Sequence, residues 1–282
     1  MEALTPEQLT EYRERGFLRI EHAFTPDEVR ALLDELLAIC RGERGSFQGR
    51  TLLPRGTPPD ELLRHFLCVH FPHKLSPAIR AFARHPVLVE ALTALIGPNV
   101  KCVQSMFFVR PAGRPGQAWH QDEFYVPTRD RSLTSAWVAL DDATAQNGCL
   151  WVIPGSHKRG ILWPHEAHDD PRFDPVGEAR HHPYTEADAV PLEIEAGGLL
   201  LFNGYLLHRS LNNAAPSGFR RSLALHSASA ETLLPWLGAE REGPIGGADC
   251  RDIVMVAGED PYAAFKSTED RCHPWSRPDR IG

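Results

Sequence analysis

The stretch QSMFFVRPAGRPGQAWHQDEFY, residues 104–125, decides the fold. It begins with an apolar run, passes through a loop rich in glycine and proline, and ends in a second short apolar segment. Runs of this length, interrupted by turn residues and lacking a helical period, are typical of short β-strands. The stretch therefore predicts two neighbouring strands, the second of which ends in His120-Gln121-Asp122.

Similar short runs follow downstream, separated by glycine, proline and asparagine turns. Many short strands without intervening helical patterns predict a mainly β protein built on an antiparallel barrel or sandwich. The runs that carry this prediction are Val103–Val109, Ser135–Leu140, Cys149–Ile153, Leu199–Phe202 and Ser222–Leu225.

The first hundred residues have a different character. Capping boxes at Thr5 and at Thr25 each open a helix, and a third helix is predicted near 86–96. We expect one domain, with a helical N-terminal part at about 1–98 packed outside a barrel at about 99–230. The remainder, about 231–282, is rich in glycine, proline and charge, and we expect it to wrap the barrel.

Composition excludes several classes of protein. The net charge of −7, from 30 basic and 37 acidic residues, argues against a surface for the nucleic-acid backbone. No apolar run approaches the roughly 18 residues of a membrane span, and the N-terminus does not resemble a signal peptide. The six cysteines are dispersed without a CxxC pair, which is typical of reduced thiols in a cytoplasmic protein. The oligomeric state is not predicted.

The pair His120 and Asp122 is the first candidate for chemistry. Residues i and i+2 of an extended chain project to the same face, so this imidazole and carboxylate lie together while Gln121 points away. A third ligand from a distant strand would complete the two-histidine, one-carboxylate triad that binds non-haem iron(II). The apolar strand that ends at His208 supplies that ligand. Four competing histidines lie in a polar, proline-rich loop that we expect to be solvated: His165, His168, His181 and His182.

Arg220 indicates what the metal would bind. A 2-oxo acid chelates iron through its keto and carboxylate oxygens, and its distal carboxylate then needs a partner. Arginine meets a carboxylate with two parallel, charge-assisted hydrogen bonds. Arg220 and Ser222 share a strand face, so the hydroxyl adds a further hydrogen bond, while Arg221 should point to the other face.

Taken together, these segments resemble the phytanoyl-CoA dioxygenase family, whose members are iron(II)- and 2-oxoglutarate-dependent oxygenases with a double-stranded β-helix (jelly-roll, cupin-like) fold. The resemblance implies that His120, Asp122 and His208 bind iron. It implies that Arg220, with Ser210 and Ser222, binds the distal carboxylate of 2-oxoglutarate, and that Gln104 and Trp137 line the same pocket. The segments that carry the resemblance are WHQDEFY at 119–125, SAWVALDDAT at 135–144, NGCLWVIPGSHK at 147–158, HRS at 208–210 and FRRSLALH at 219–226.

The implied activity consumes 2-oxoglutarate and O2, releases succinate and CO2, and hydroxylates an unactivated C–H bond of a small organic substrate. Related halogenases have a small residue where this chain has Asp122, so hydroxylation is favoured over halogenation. Glu123, Phe124, Tyr125 and the loop Pro127–Arg131 are expected at the cavity mouth, where their mixed aromatic and charged character would suit a polar substrate with an anionic group. Two alternatives stay open: a metal-dependent, non-oxidative cupin-like enzyme, and a non-catalytic binding member of the fold.

Overall fold

In the computed structural model, residues 4–232, 253–265 and 273–278 are described. Two N-terminal helices begin where the sequence predicts, because Thr5 and Thr25 each accept a hydrogen bond from the backbone three residues later in a complete capping box. Both end at a glycine in the left-handed conformation, Gly16 and Gly42. The helices are Pro6–Arg15 (α1), Pro26–Arg41 (α2), Pro59–Leu63 (α3), Pro77–Phe82 (α4), Pro86–Ile96 (α5) and Asp122–Tyr125 (α6).

The described strands form two larger antiparallel sheets and one small hairpin. They are Phe17–Ile20 (β1), Phe66–His70 (β2), Val100–Pro111 (β3), Gln117–His120 (β4), Thr134–Ala139 (β5), Leu150–Val152 (β6), His165–Glu166 (β7), Glu178–Ala179 (β8), Val190–Leu192 (β9), Leu199–Asn203 (β10), His208–Ser210 (β11), Phe219–Ser229 (β12), Val254–Ala257 (β13) and Trp275–Pro278 (β14).

The major sheet has eight strands in the order β1-β10-β5-β12-β3-β2-β14, with β13 also paired to β3. The minor sheet has the order β4-β11-β6-β9, and β7 pairs with β8. Successive side chains of β12 point to opposite faces of the major sheet and so pack into two different cores. Leu223 and Leu225 pack into the core beneath the helices, whereas Ala224 joins Leu150 and Val152 of the minor sheet in a second core between the sheets.

This architecture confirms the predicted mainly β jelly-roll fold with helices packed outside it. The predicted strand runs are all present, and β3 and β12 are longer than expected. The strand β2 was not predicted, because every residue of Phe66–His70 is buried and the run therefore shows no alternation. The region before residue 98 thus contributes two strands, β1 and β2, to the major sheet.

The expectation that residues 231–282 wrap the barrel falls largely outside the described residues. Two described pieces of this tail pair with the major sheet, β13 with β3 and β14 with β2. Among the helices of the described residues, none combines the length and the apolar character that crossing a bilayer requires.

Candidate metal centre and co-substrate pocket

The pairing of β4 with β11 brings two histidines together from positions far apart in the chain. His120 and His208 are Cα partners in the antiparallel register, and their ring centroids are 4.0 Å apart. Gln121 continues the extended backbone, and Asp122 then opens the short helix α6. The expected extended chain therefore holds through Gln121, and the helix begins at the carboxylate.

The side chain of Gln121 points away from these histidines and fixes the chain at this turn. Its amide nitrogen donates to the carbonyl of Tyr205 at 2.8 Å and to that of Ile161 at 2.9 Å. Its amide oxygen accepts from the backbone N–H of Trp163 at 2.9 Å. A fully bonded buried amide holds the backbone on either side in one position.

His120, Asp122 and His208 are all buried, and one potential ligand atom of each lies within 4.8 Å of the others. The Nε2 atoms of His120 and His208 are 3.8 Å and 3.6 Å from Asp122 Oδ1. Their Nδ1 atoms lie 2.8 Å and 3.0 Å from the carbonyls of Ala118 and Leu206. A hydrogen bond at Nδ1 fixes the tautomer that leaves Nε2 free to bind a metal.

The two oxygens of Asp122 have separate roles. Oδ2 accepts from the Ser135 hydroxyl at 2.5 Å and lies 3.3 Å from His226 Nε2, which leaves Oδ1 facing the two histidines. Burial alone would raise the pKa of this carboxyl, but the neighbouring His226 and His208 outweigh burial and lower the pKa. Burial, and then the proximity of His208, lower the pKa of His120 well below its ordinary value. A neutral imidazole and an ionised carboxylate are the forms that bind a divalent metal ion.

Arg220 lies in the same cavity with its guanidinium buried. It donates to the Ser222 hydroxyl at 3.3 Å and lies 5.6 Å from the ring centroid of Trp137. No acidic side chain among the described residues forms an ion pair with it, and its Nε lacks a hydrogen-bond partner there. Burial and the neighbouring Arg110 lower the pKa of Arg220 to about 9, so the group is still cationic at neutral pH. A buried, charged guanidinium of this kind is suited to an incoming carboxylate.

Arg221 forms an ion pair outside the cavity. Its side chain points to the opposite face of β12 and donates to both carboxylate oxygens of Asp141, at 2.6 Å and 2.8 Å. The alternation predicted for the two arginines is therefore present, and Arg220 is the one in the cavity.

The cavity has a volume of about 390 Å³ and runs between the two sheets. Four of the residues expected to bind the co-substrate line it: Gln104, Trp137, Ser210 and Arg220. Ser222 lies beside Arg220 through their hydrogen bond. The structure thus brings all eight candidate residues to one place, and their roles stay predictions.

Two expectations about neighbouring segments need correction. Of the residues expected at the mouth, Tyr125 lines the cavity, whereas the loop Pro127–Arg131 does not: Thr128 is buried and bonded to Glu123, and Asp130 accepts from Ser132. Of the four competing histidines, none lines the cavity, but His165 is half-buried and stacks on Phe124 with centroids 3.8 Å apart. His168 and His182 are half-buried as well, so the expectation of a solvated loop holds for His181 and is wrong for the other three.

Sequence reasoning missed several cavity residues, among them His70, His226 and Trp275. His226 belongs to a motif that carries the resemblance, and its place four residues beyond Ser222 on one strand face was the available signal. His70 lies on the unpredicted strand β2, and Trp275 lies in the tail, so neither had a comparable signal.

A model of the family "Phytanoyl-CoA dioxygenase (PhyH)" matches residues 12–222. "Phytanoyl-CoA dioxygenase 1" of Oryza sativa subsp. japonica is 35% identical over 167 residues, which is 57% of this chain and 57% of that protein. "Phytanoyl-CoA dioxygenase, peroxisomal" of Homo sapiens is 30% identical and covers 81% of this chain and 69% of its own.

Solved structures share the fold at low sequence identity. The apo non-haem monooxygenase ThoJ superposes with a TM-score of 0.66 at 22% identity, covering 90% of this chain and 84% of its own. CytC3, determined with Fe(II) and alpha-ketoglutarate, superposes with a TM-score of 0.61 at 18% identity, covering 93% and 92%.

The jelly-roll fold, with two histidines and a carboxylate facing one cavity, defines the class of non-haem iron, 2-oxoglutarate-dependent oxygenases. Within that class, the family model matches residues 12–222, and the chain therefore belongs to the phytanoyl-CoA dioxygenase family.

Proposed function

We propose that this chain is an Fe(II)- and 2-oxoglutarate-dependent dioxygenase that hydroxylates an unactivated C–H bond of a small organic substrate, with release of succinate and CO2. One observation carries the proposal: a buried triad of metal-binding type and a buried arginine without an acidic partner among the described residues face the same cavity. A site that binds only a metal ion does not require a buried arginine, and a site that binds only a carboxylate does not require the triad. The two together suit 2-oxoglutarate bound to a metal ion.

Each side chain has a role in this proposal. His120 Nε2, His208 Nε2 and Asp122 Oδ1 bind iron, and their tautomers and orientation are held by backbone carbonyls, Ser135 and His226. Arg220 and Ser222 bind the distal carboxylate of 2-oxoglutarate, with Ser210 beside them. Gln104 and Trp137 line the same cavity, Trp137 against the Arg220 guanidinium.

Bound iron would supply the activation of O2 and the oxidation of the C–H bond. The chain supplies three ligands on one side, which leaves the other coordination positions open. The side chains of Phe108, Trp137 and Phe202 give the cavity apolar walls, which would limit water around a reactive centre and so protect it from side reactions. The carboxylate of Asp122 fills the position at which a halide would have to bind, and this supports hydroxylation.

The experiment is a test for oxygen-dependent succinate formation from 2-oxoglutarate with purified chain and iron(II). We expect succinate with iron and O2, no succinate when zinc replaces iron, and at least a hundredfold loss in Asp122→Ala. Succinate formation that is equal with zinc, or that survives in Asp122→Ala, would exclude the proposed activity and favour a non-oxidative metal enzyme. Failure to bind 2-oxoglutarate at all would favour a non-catalytic member of the fold.

The remaining proposals concern the whole chain. We infer one oxygenase domain with a small-molecule substrate, without a nucleic-acid partner, and a cytoplasmic location. Among the described residues, Cys40, Cys102 and Cys149 are buried thiols outside any disulfide, which supports a reducing compartment.

A further inference from the structure

The cavity extends along β12 and has one end at Arg220 and the other at His226. Arg220 and His226 point into it from the same strand, six residues or about 20 Å apart. The triad lies near the His226 end, since His226 Nε2 is 3.3 Å from Asp122. A 2-oxo acid that spans from the metal to Arg220 therefore leaves the His226 end open for the primary substrate.

The His226 end is polar but carries little charge. His70 Nδ1 lies 3.4 Å from Gln104 Nε2, and Gln104 Oε1 lies 3.2 Å from His226 Nδ1. Phe71, Tyr125 and Trp275 provide the remaining walls. Within the described part of the chain, the charged side chains that line the cavity are Asp122, Arg110 and Arg220, and the two arginines are at the opposite end.

An aromatic wall is formed where the tail meets the major sheet. Trp275 on β14 is the register partner of His70 on β2, and their rings stack with centroids 3.9 Å apart and planes 4° apart. Both residues line the cavity. The stack therefore gives the substrate end a flat, rigid surface.

Exposed apolar side chains cluster beside the triad. Five large hydrophobic residues are exposed among the described residues, and four of them lie here: Phe124, Tyr125, Ile161 and Leu162. Phe124 and Tyr125 are at the end of α6, and the Gln121 hydrogen bonds hold Ile161 against the same turn. Tyr125 also lines the cavity, so this exposed patch is continuous with the substrate end. A cluster of exposed apolar residues beside a cavity favours a role of this surface in ligand binding.

We propose that the primary substrate is a neutral, mainly apolar molecule containing a ring, which enters over this patch and packs against Phe71, Tyr125 and Trp275. The proposal rests on the proposed function. The Gln104 amide lines this end and can bind a hydroxyl or carbonyl oxygen of the substrate, whereas both ring nitrogens of His226 already face Asp122 and Gln104. A charged substrate would lose its hydration at an end where the charged side chain among the described lining residues is Asp122, whose oxygens already face His120, His208 and His226, whereas ring faces pack favourably on aromatic side chains.

Three probes of equal size and different charge test this inference: 2-naphthylmethanol, 2-naphthoate and 2-naphthylmethylammonium. Calorimetry measures their binding to the full chain under anaerobic conditions with manganese(II) and saturating 2-oxoglutarate. We expect the neutral alcohol to bind at least tenfold more tightly than either charged probe. Equal or tighter binding of a charged probe, or tighter binding of hexanoyl-CoA, would overturn the proposal.

Matched variants locate the binding. Trp275→Ala should weaken binding of 2-naphthylmethanol at least fivefold, whereas Trp151→Ala, which removes a half-buried indole outside the cavity, should change it less than twofold. Equal losses in both variants would overturn the assignment. Phe124→Ala alters an exposed side chain, and it should weaken binding at least threefold even where Trp275→Ala does not fold.

A separate 2-oxoglutarate titration distinguishes this inference from the proposed function. If 2-oxoglutarate does not bind, the proposed function fails. The probe titrations and the Trp275→Ala variant can also be measured on the metal-free chain. Their results therefore support or overturn the proposed substrate class even when 2-oxoglutarate does not bind.

Discussion

The two carboxylate oxygens of Asp122 have different neighbours, and this difference decides which oxygen faces the two histidines. Ser135 and His226 hold Oδ2, so Oδ1 is directed at the two histidines. His226 is held in turn by the side chain of Gln104. Gln104 can present either its amide N–H or its amide oxygen to His226 Nδ1. The contact between His226 and Asp122 therefore does not depend on the orientation of the Gln104 amide. His226 is therefore a positioning residue for the metal ligand.

His226→Ala should weaken metal binding without removing a ligand. Loss of an outer-shell partner typically costs about 10- to 100-fold in metal affinity. Calorimetric titration with manganese(II) measures the change. His73→Ala is the matched control, because His73 is also buried and bonded, to Ser105 at 2.6 Å, but lies outside the cavity. An equal loss of metal affinity in both variants would show that His226 acts only through general stability.

Arg220→Ala and Arg221→Ala should separate co-substrate binding from stability. Removing the partner of a charged hydrogen bond costs about 1.5–3 kcal/mol, so we expect a rise of about 10- to 100-fold in the Kd of 2-oxoglutarate for Arg220→Ala. Arg221→Ala breaks the pair with Asp141 and should lower the Tm while changing this Kd less than threefold. The opposite pattern in calorimetry and thermal unfolding would show that Arg221 is the anchor.

Among the elements, the pairing of β4 with β11 matters most for the site, because it sets the distance between His120 and His208. The loop before β4 approaches β11 at Gly116. A Cβ at this position would lie 1.9 Å from the backbone oxygen of Ser210, a contact that no side chain can make. The absence of a side chain at Gly116 therefore allows the register that aligns the two histidines.

Gly116→Ala should displace β11 and weaken metal binding at least tenfold. Gly113→Ala in the same loop is the control: no atom lies within 4 Å of its Cβ position, but its φ of +83° is strained for alanine. We expect Gly113→Ala to lower stability by roughly 1–2 kcal/mol and to leave metal affinity unchanged. The prediction is contradicted if manganese(II) binds equally well to Gly116→Ala and to the native chain.

The elements also show where prediction from sequence ends. Local signals located α1 and α2, because a capping box and a terminal glycine depend only on neighbouring residues. The strand β2 was missed, since burial on both faces removes the alternation that identifies a strand. The helix that begins at Asp122 was missed as well, because it is only Asp122–Tyr125 in length and follows an extended segment directly.

For the whole molecule, the site is formed where two sheets face each other. The metal-binding candidates are on or beside the minor sheet, at β4 and β11, whereas Arg220 and Gln104 are on the major sheet. Motif spacing predicted the metal-binding candidates and Arg220, whereas Gln104 was predicted from the family resemblance. The His70–Trp275 stack was not predictable, because it depends on pairing between strands about 200 residues apart, and local patterns carry no information about such pairings.

The most direct test of the central claim is an anaerobic titration of the chain with iron(II) and 2-oxoglutarate, followed by visible absorption. Because the triad leaves adjacent positions for a chelating 2-oxo acid, we expect a weak metal-to-ligand charge-transfer band that requires both additions. The band should be absent in Asp122→Ala and should need much more 2-oxoglutarate in Arg220→Ala. A native chain that forms no band, or an Asp122→Ala variant that forms it undiminished, would contradict the assignment of His120, Asp122 and His208 as the iron site.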